Sequence, residues 1–311
     1  MDNLIFCLNA TLPVFLLMVL GYVFKRLGVI SDEFAGYMNS FVFKVSLPVL
    51  VFQDLSRVDF FAYWKGSYVL FCFIATVLSI LVAVILSLFI KEVPLRGEFA
   101  QASYRSSSAL LGISFIMNIY GDSGMAPLMI IGSVPLYNMM AVILLHVTNA
   151  KAGEADIKGT LKGIITNPII DGIIVGVLWS LLGLPQPVIF QKTVSHLAAL
   201  TTPMGLMALG ASFNFQKVSD RLAPVLGAVF LKLVAYCAIF LPVAVYMGFR
   251  NDELVAALVM LGSPTTVAAY VMARGTGHEG SLSSGCIMLT TLLSAFTLTG
   301  WLYILRVMGF V

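Results

Sequence analysis

Apolar residues run along the chain in long unbroken stretches, at about 4–24, 35–55, 66–90, 99–120, 126–147, 163–182, 193–213, 223–248, 254–273 and 282–305. Each is near the roughly 20 residues that a helix needs to cross about 30 Å of hydrocarbon. None alternates with a two-residue period, so the pattern predicts ten transmembrane helices rather than a barrel of short strands. The first stretch follows Met1-Asp2-Asn3 without a basic n-region or a small-residue cleavage site and reads as a retained span.

Composition sharpens this. Of 311 residues, 59% are hydrophobic and 11% charged, against roughly 25% charged in an ordinary soluble domain, which excludes a soluble globule. Eighteen Lys plus Arg against fifteen Asp plus Glu leave +3, too little and too dispersed for a nucleic-acid partner. The basic residues matter through placement. Alternate loops hold Lys25, Arg26, Lys91, Arg96, Lys151, Lys158, Lys162, Lys217, Arg221 and Arg274 on one side, and Arg57, Lys65, Lys192, Arg250 and Arg306 on the other. Basic loops stay cytoplasmic, so both termini are expected outside the plasma (inner) membrane. Cys7, Cys72, Cys237 and Cys286 lie far apart in or at the edge of apolar runs and read as small hydrophobes.

The longest polar stretch, Thr148 to Lys162, divides the chain into residues 1–150, a short cytoplasmic linker 151–162, and residues 163–311. Each half carries five runs. Five is odd, so the second half enters the membrane in the opposite sense. Leu12-Pro13 with Gly21 and Gly28 is faintly echoed by Asn167-Pro168 with Gly176 and Gly183. The fold class expected is therefore an all-α membrane protein of two inverted five-helix repeats, an arrangement common in secondary transporters.

Spans 4 and 9 are the interrupted ones. Span 4 carries Arg105, Ser106, Ser107 and Ser108; span 9 carries Gly262, Ser263, Pro264, Thr265 and Thr266. Proline removes a helix donor, and hydroxyls cap the half-helix that follows. Both breaks fall at position four of a repeat, so the two helices are expected to cross near the midplane. Their half-helix N-termini would offer N–H groups and positive dipole ends to an anion, with the Arg105 guanidinium as a carboxylate fork. Snorkelling of Arg105 to the interface is the bland alternative. Lys44, Lys232 and Asp171 are the other intramembrane charges. Lys44 and Asp171 lie at similar depth and are expected to form a structural or gating ion pair. Gly172 and Gly176 form a GxxxG that suits close packing within the chain, with a homodimer face left open. The three histidines lack ligand-spaced companions, so neither a metal nor another cofactor is expected.

The chain resembles the auxin efflux carrier family, which includes plant auxin exporters and bacterial permeases for malate, malonate and similar carboxylates. The resemblance covers all ten runs and is carried by Leu12-Pro13 through Gly21-Tyr22, Lys25-Arg26-Leu27-Gly28, Ser46-Leu47-Pro48, Leu111-Gly112-Ile113 through Tyr120-Gly121, Asn167-Pro168, Thr202-Pro203 through Leu209-Gly210-Ala211, and Ser263-Pro264 through Tyr270-Val271. It implies a scaffold of spans 1, 2, 6 and 7, a moving transport domain of spans 3–5 and 8–10, and substrate bound where spans 4 and 9 cross. Pro264 matches the span-9 crossover proline. Where the family usually has proline or glycine followed by asparagine, this chain has Ser106 and Ser107, and Ser114 replaces a further proline.

Together these features point to a secondary active transporter of a small organic anion, working by an elevator-type alternating-access movement and embedded in the lipid bilayer. Energy is expected from a gradient, with protons and sodium as the candidate coupling ions, or from an external ATPase, since no GxxxxGK[ST] phosphate loop is present. The rival readings are a channel or structural membrane subunit, and a membrane-embedded enzyme, for which clustered carboxylates or a nucleophile with its base are missing.

Overall fold

The computed structural model describes residues 2–57, 65–108, 113–121, 124–149 and 165–311, with the side chains of 2–4, 6–11, 113, 114 and 118 outside the description. The expected linker 151–162, with Lys151, Lys158 and Lys162, lies outside the described residues, as do Leu111-Gly112 and the side chains of Cys7 and Ser114.

Every regular element among the described residues is helical. In chain order these are α1 (Asp2–Arg26), α2 (Asp32–Phe41), a π-helical turn Val42–Ser46, α3 (Leu47–Ser56), α4 (Gly66–Ser87), α5 (Val93–Tyr104), α6 (Ile113–Tyr120), α7 (Ala126–Val147), α8 (Pro168–Leu181), α9 (Val188–Ala199), α10 (Thr201–Ala211), α11 (Phe215–Ser219), α12 (Leu222–Phe230), a second π-helical turn Leu231–Ala235, α13 (Tyr236–Tyr246), α14 (Asp252–Gly262), α15 (Ala268–Gly275) and α16 (Ser281–Val307). Six stretches are long and apolar enough to cross a membrane: Asp32–Ser56, Gly66–Ser87, Ala126–Val147, Val188–Ser212, Leu222–Tyr246 and Ser281–Val307. Their outer faces expose Leu70, Phe73, Ile74, Leu81, Ile85 and Phe296, a surface that suits lipid.

Local sequence explains the helix starts. Ser31 accepts the Phe34 N–H at 3.0 Å, and Asp32 and Glu33 follow in the first turn, where acidic residues complement the dipole. Asn167 accepts from Ile169 N at 3.0 Å and Pro168 occupies the first helical position. At the same end as Asp32, buried Glu98 of α5 accepts N–H groups from Gly280 at 2.9 Å and Ser283 at 3.0 Å, so a carboxylate from one helix caps the start of α16.

Close helix approach is written in glycine. α3 packs along α8, and α1 along α10 and α16. A Cβ on Gly210 would overlap the Met18 carbonyl oxygen, and one on Gly21 the Met207 carbonyl. In the Gly172/Gly176 pair, a Cβ on Gly172 would press on the Pro48 carbonyl and one on Gly176 would lie 3.0 Å from Leu55 Cβ and 3.1 Å from Phe52 O. The GxxxG is therefore used inside the chain, against α3.

These contacts set a test. Gly210→Ala should destabilise the purified protein by about 1–3 kcal/mol through overpacking, read as a lowered melting temperature. Gly300→Ala, where a Cβ meets nothing within 4 Å, should leave the melting temperature unchanged.

Candidate functional site

Pro264 has no N–H, so the carbonyl four residues back, Met260 O, loses its helical donor. Proline also disfavours α geometry in the residue before it, and Ser263 is extended at φ −71°, ψ 157°, which ends α14. In span 4, Arg105 is extended at φ −72°, ψ 130°, which ends α5. The two interruptions meet: Ser107 N donates to Pro264 O at 3.1 Å across them.

The freed backbone groups find partners from the opposite segment. Ser106 Oγ donates to Met260 O, and Lys232 Nζ donates to Ser106 Oγ and to Leu261 O. Thr265 Oγ1 donates to Ala102 O at 2.7 Å, while Thr265 N donates to Thr290 Oγ1 at 3.1 Å. Gln101 Nε2 donates to Ala269 O at 2.9 Å. Thr266 Oγ1 accepts from Ala268 N at 3.0 Å and opens α15. Apart from the part-buried Thr266 bond, each is made in a buried setting, where an unmade one costs about 1–3 kcal/mol.

Two cations are enclosed here. Lys232 is fully buried, and the π-helical turn Leu231–Ala235 aims its ammonium at the C-terminal carbonyls of α14, the negative end of that helix. Arg105 is buried as well. It donates through Nη2 to Asn138 Oδ1 and through Nη1 to Met272 Sδ at 3.1 Å, while Nε has no partner among the described residues. Among the described residues, neither cation has a carboxylate within 4.0 Å.

A cavity of about 60 Å³ lies against the crossing, lined by Arg105, Ser106, Ser107, Ser108, Thr266, Asn138 and Asp54 among others. That is room for about two waters. Ser108 lines it, and its buried Oγ has no partner among the described residues. Of the residues singled out from sequence, Arg105, Ser106, Ser107, Ser108 and Thr266 share this cavity. Gly262, Ser263, Pro264 and Thr265 are buried behind it, and Gly262 is tight against Cys237 Sγ. Sequence reasoning missed Asn138, Gln101, Thr290 and Asp54, and placed Lys232 only as an intramembrane cation. A lone amide in the apolar run of α7 was the available signal for Asn138.

Lys44 and Asp171 do not form the expected ion pair. Lys44 sits in the π-helical turn Val42–Ser46, whose extra residue re-aims side chains, and it lines a separate, larger cavity of about 500 Å³. Asp171 is exposed in the first turn of α8. The ion pairs that do form include Lys25–Asp32 at 2.6 Å and a cluster at the mouth of the larger cavity, where Lys217 and Arg221 both reach Glu279.

An all-helical protein with membrane-length apolar helices and two interruptions joined around buried cations belongs, by class, with membrane transporters rather than enzymes. Comparison with known proteins makes the assignment specific. The model of the membrane transport protein family matches residues 6–302, and the chain belongs to that family, the auxin efflux carrier-like one that its motifs resemble. An "uncharacterized transporter" of Methanothermobacter thermautotrophicus is 24% identical over 303 residues, covering 96% of this chain and 98% of the relative. A "putative malonate transporter" of Rhizobium meliloti is 25% identical over 307 residues, covering 95% and 94%.

Two measurements follow from the geometry. Thr265→Val keeps the side-chain shape but leaves Ala102 O bare, and should lower stability by about 1–3 kcal/mol in a thermal or denaturant melt; an unchanged melt would show that bond to be dispensable. The hydrogen-bonded Lys217, with Arg221 beside it, holds the Glu279 carboxyl down at about 2 from an ordinary 4.5. A depressed carboxylate stabilises fully above its unfolded value and loses that contribution as pH falls through its folded value. Melting temperature should therefore decline from about pH 4.5 toward about pH 2, and Glu279→Gln should flatten that part of the profile.

Proposed function

We propose that this chain is a secondary carrier of a small organic anion, a carboxylate such as malate, malonate or an auxin-like acid. The observation that carries this reading is the pair of buried cations at the crossing, where Arg105 and Ser108 line the cavity and Arg105 Nε and Ser108 Oγ have no partner among the described residues. A guanidinium edge and a hydroxyl without protein acceptors are donors for a carboxylate. The name given to the Rhizobium meliloti relative agrees in chemistry.

The same reading takes the chain as ten spans in two inverted five-helix repeats, with both termini outside the plasma membrane. Spans 1, 2, 6 and 7 form the scaffold, and spans 3–5 and 8–10 form the moving domain. The cavity at the crossing is too small for a dicarboxylate, so binding requires the moving domain to shift against the scaffold, in an elevator-type cycle driven by a proton or sodium gradient. Extensive packing of α3 on α8 and α1 on α10 supports a rigid scaffold.

Uptake of labelled malonate into proteoliposomes tests this. The native protein should show saturable flux stimulated by malonate on the opposite side. Arg105→Ala should lose about tenfold or more of that flux, the equivalent of one charge-assisted hydrogen bond, and should also lower the melting temperature, because Asn138 Oδ1 loses its buried donor. Unaltered flux in folded Arg105→Ala would remove Arg105 from the site, and unsaturable conductance would identify a channel instead.

A further inference from the structure

We propose that the 500 Å³ cavity is a second anion site, a vestibule in which Lys44 and Arg274 capture a small dicarboxylate before it reaches the crossing. The inference rests on the reading of the chain as an anion carrier and adds to it a separate place of binding and a preference for dianions.

The charge inventory of the cavity is the first support. Its lining carries Lys44, Lys217 and Arg274 against Asp32 and Glu279. Asp32 is paired with Lys25 at 2.6 Å, and Glu279 is paired with Lys217 and Arg221. Both carboxylates are thus already matched. Lys44 has no hydrogen-bond or ion-pair partner among the described residues, and Arg274 reaches only the Glu279 backbone oxygen, at 3.3 Å. Two uncompensated cations remain, one on the π-helical turn and one on α15.

A buried polar group gives the second support. Asn39 is only 7% exposed, lines the cavity and has an Oδ1 atom without a protein partner. Amide oxygen and nitrogen exchange places by a simple flip, so this side chain can present its N–H₂ to an anion. Buried polar groups are otherwise matched, so an amide beside the cavity whose oxygen has no partner among the described residues has hydrogen-bonding capacity to spare for a ligand.

Size and position agree. A volume of about 500 Å³ falls within the range of roughly 300–1,000 Å³ typical of small-molecule sites. The two cavities are arranged along the same two segments: the Asp32–Ser56 segment contributes Asn39 and Lys44 to the large one and Leu50 and Asp54 to the small one. Likewise α15 contributes Arg274 to the large cavity and Ala268 to the small one. An anion held in the vestibule is already on the seam that leads to the crossing. The loops at this end are the more basic set in the sequence, which places the vestibule on the cytoplasmic side.

The test uses full-length protein in detergent with Cys7 replaced by serine, since Cys72, Cys237 and Cys286 are buried. Ser40, at the cavity wall, becomes the reporter as Ser40→Cys, with Ser212→Cys as the second reporter. The rate of modification by a charged thiol reagent is measured with malonate, and with acetate as the monoanion. Malonate at ten times its dissociation constant should slow modification about tenfold, and acetate should do so much less. This protection should persist in Arg105→Ala, or in Arg105→Met if the alanine variant does not fold, and should vanish in Lys44→Gln and Arg274→Gln. Protection lost with the Arg105 lesion would assign the anion to the crossing and overturn the vestibule site, as would protection by neither reporter or equal protection by acetate. Flux through the Arg105 variants is measured separately, so failure of the vestibule and failure of the carrier reading give different results.

Discussion

One missing hydrogen-bond donor organises the centre of this protein. Pro264 cannot supply an N–H to Met260 O, and the carbonyl is left in a region where water cannot serve it. Ser106, Lys232 and Thr265 answer that vacancy and the related ones at Leu261 and Ala102. The interruption of one helix is therefore tolerated only because the interruption of another lies across it. Each break draws partners from the other, and Lys232, Thr290 and Asn138 from the flanking helices complete the set.

The same constraint explains why the cations are lysine and arginine in different roles. Lys232 points a compact ammonium at helix-end carbonyls and a serine hydroxyl, so its donors are used within the protein. Arg105 presents a planar fork of which one nitrogen is left over. The first cation stabilises the crossing; the second has capacity to spare. A ligand carboxylate would complete the coordination of Arg105 without disturbing the scaffold of bonds around Lys232.

Much of the architecture was legible in the sequence because hydrocarbon demands long apolar helices, and any polar run within them stands out. Arg105 through Ser108 and Gly262 through Thr266 were visible for that reason, and the structure brings the two segments together. What the pattern could not supply was phase and partnership. Lys44 and Asp171 match in charge and depth, but opposite charges at equal depth need not face each other, and the π-helical turn directs Lys44 to a cavity instead. Lys232 gains its role from a second such turn, which no hydrophobic periodicity reveals. Asn138 is the one amide of α7 and Thr290 one hydroxyl among several on α16, and the importance of each comes only from what lies opposite it.

Lys44 and Lys232, two lysines with no carboxylate partner among the described residues, ride on π-helical turns. Such a turn is a one-residue insertion absorbed without breaking the helix, and removing that residue would return the turn to regular α-helix and re-aim the side chains within it, while the flanking segments keep their faces. The charge at each place is thus set by register as much as by residue type. A lineage could switch either ammonium out of its pocket by a single codon deletion, leaving composition, hydropathy and span length nearly untouched.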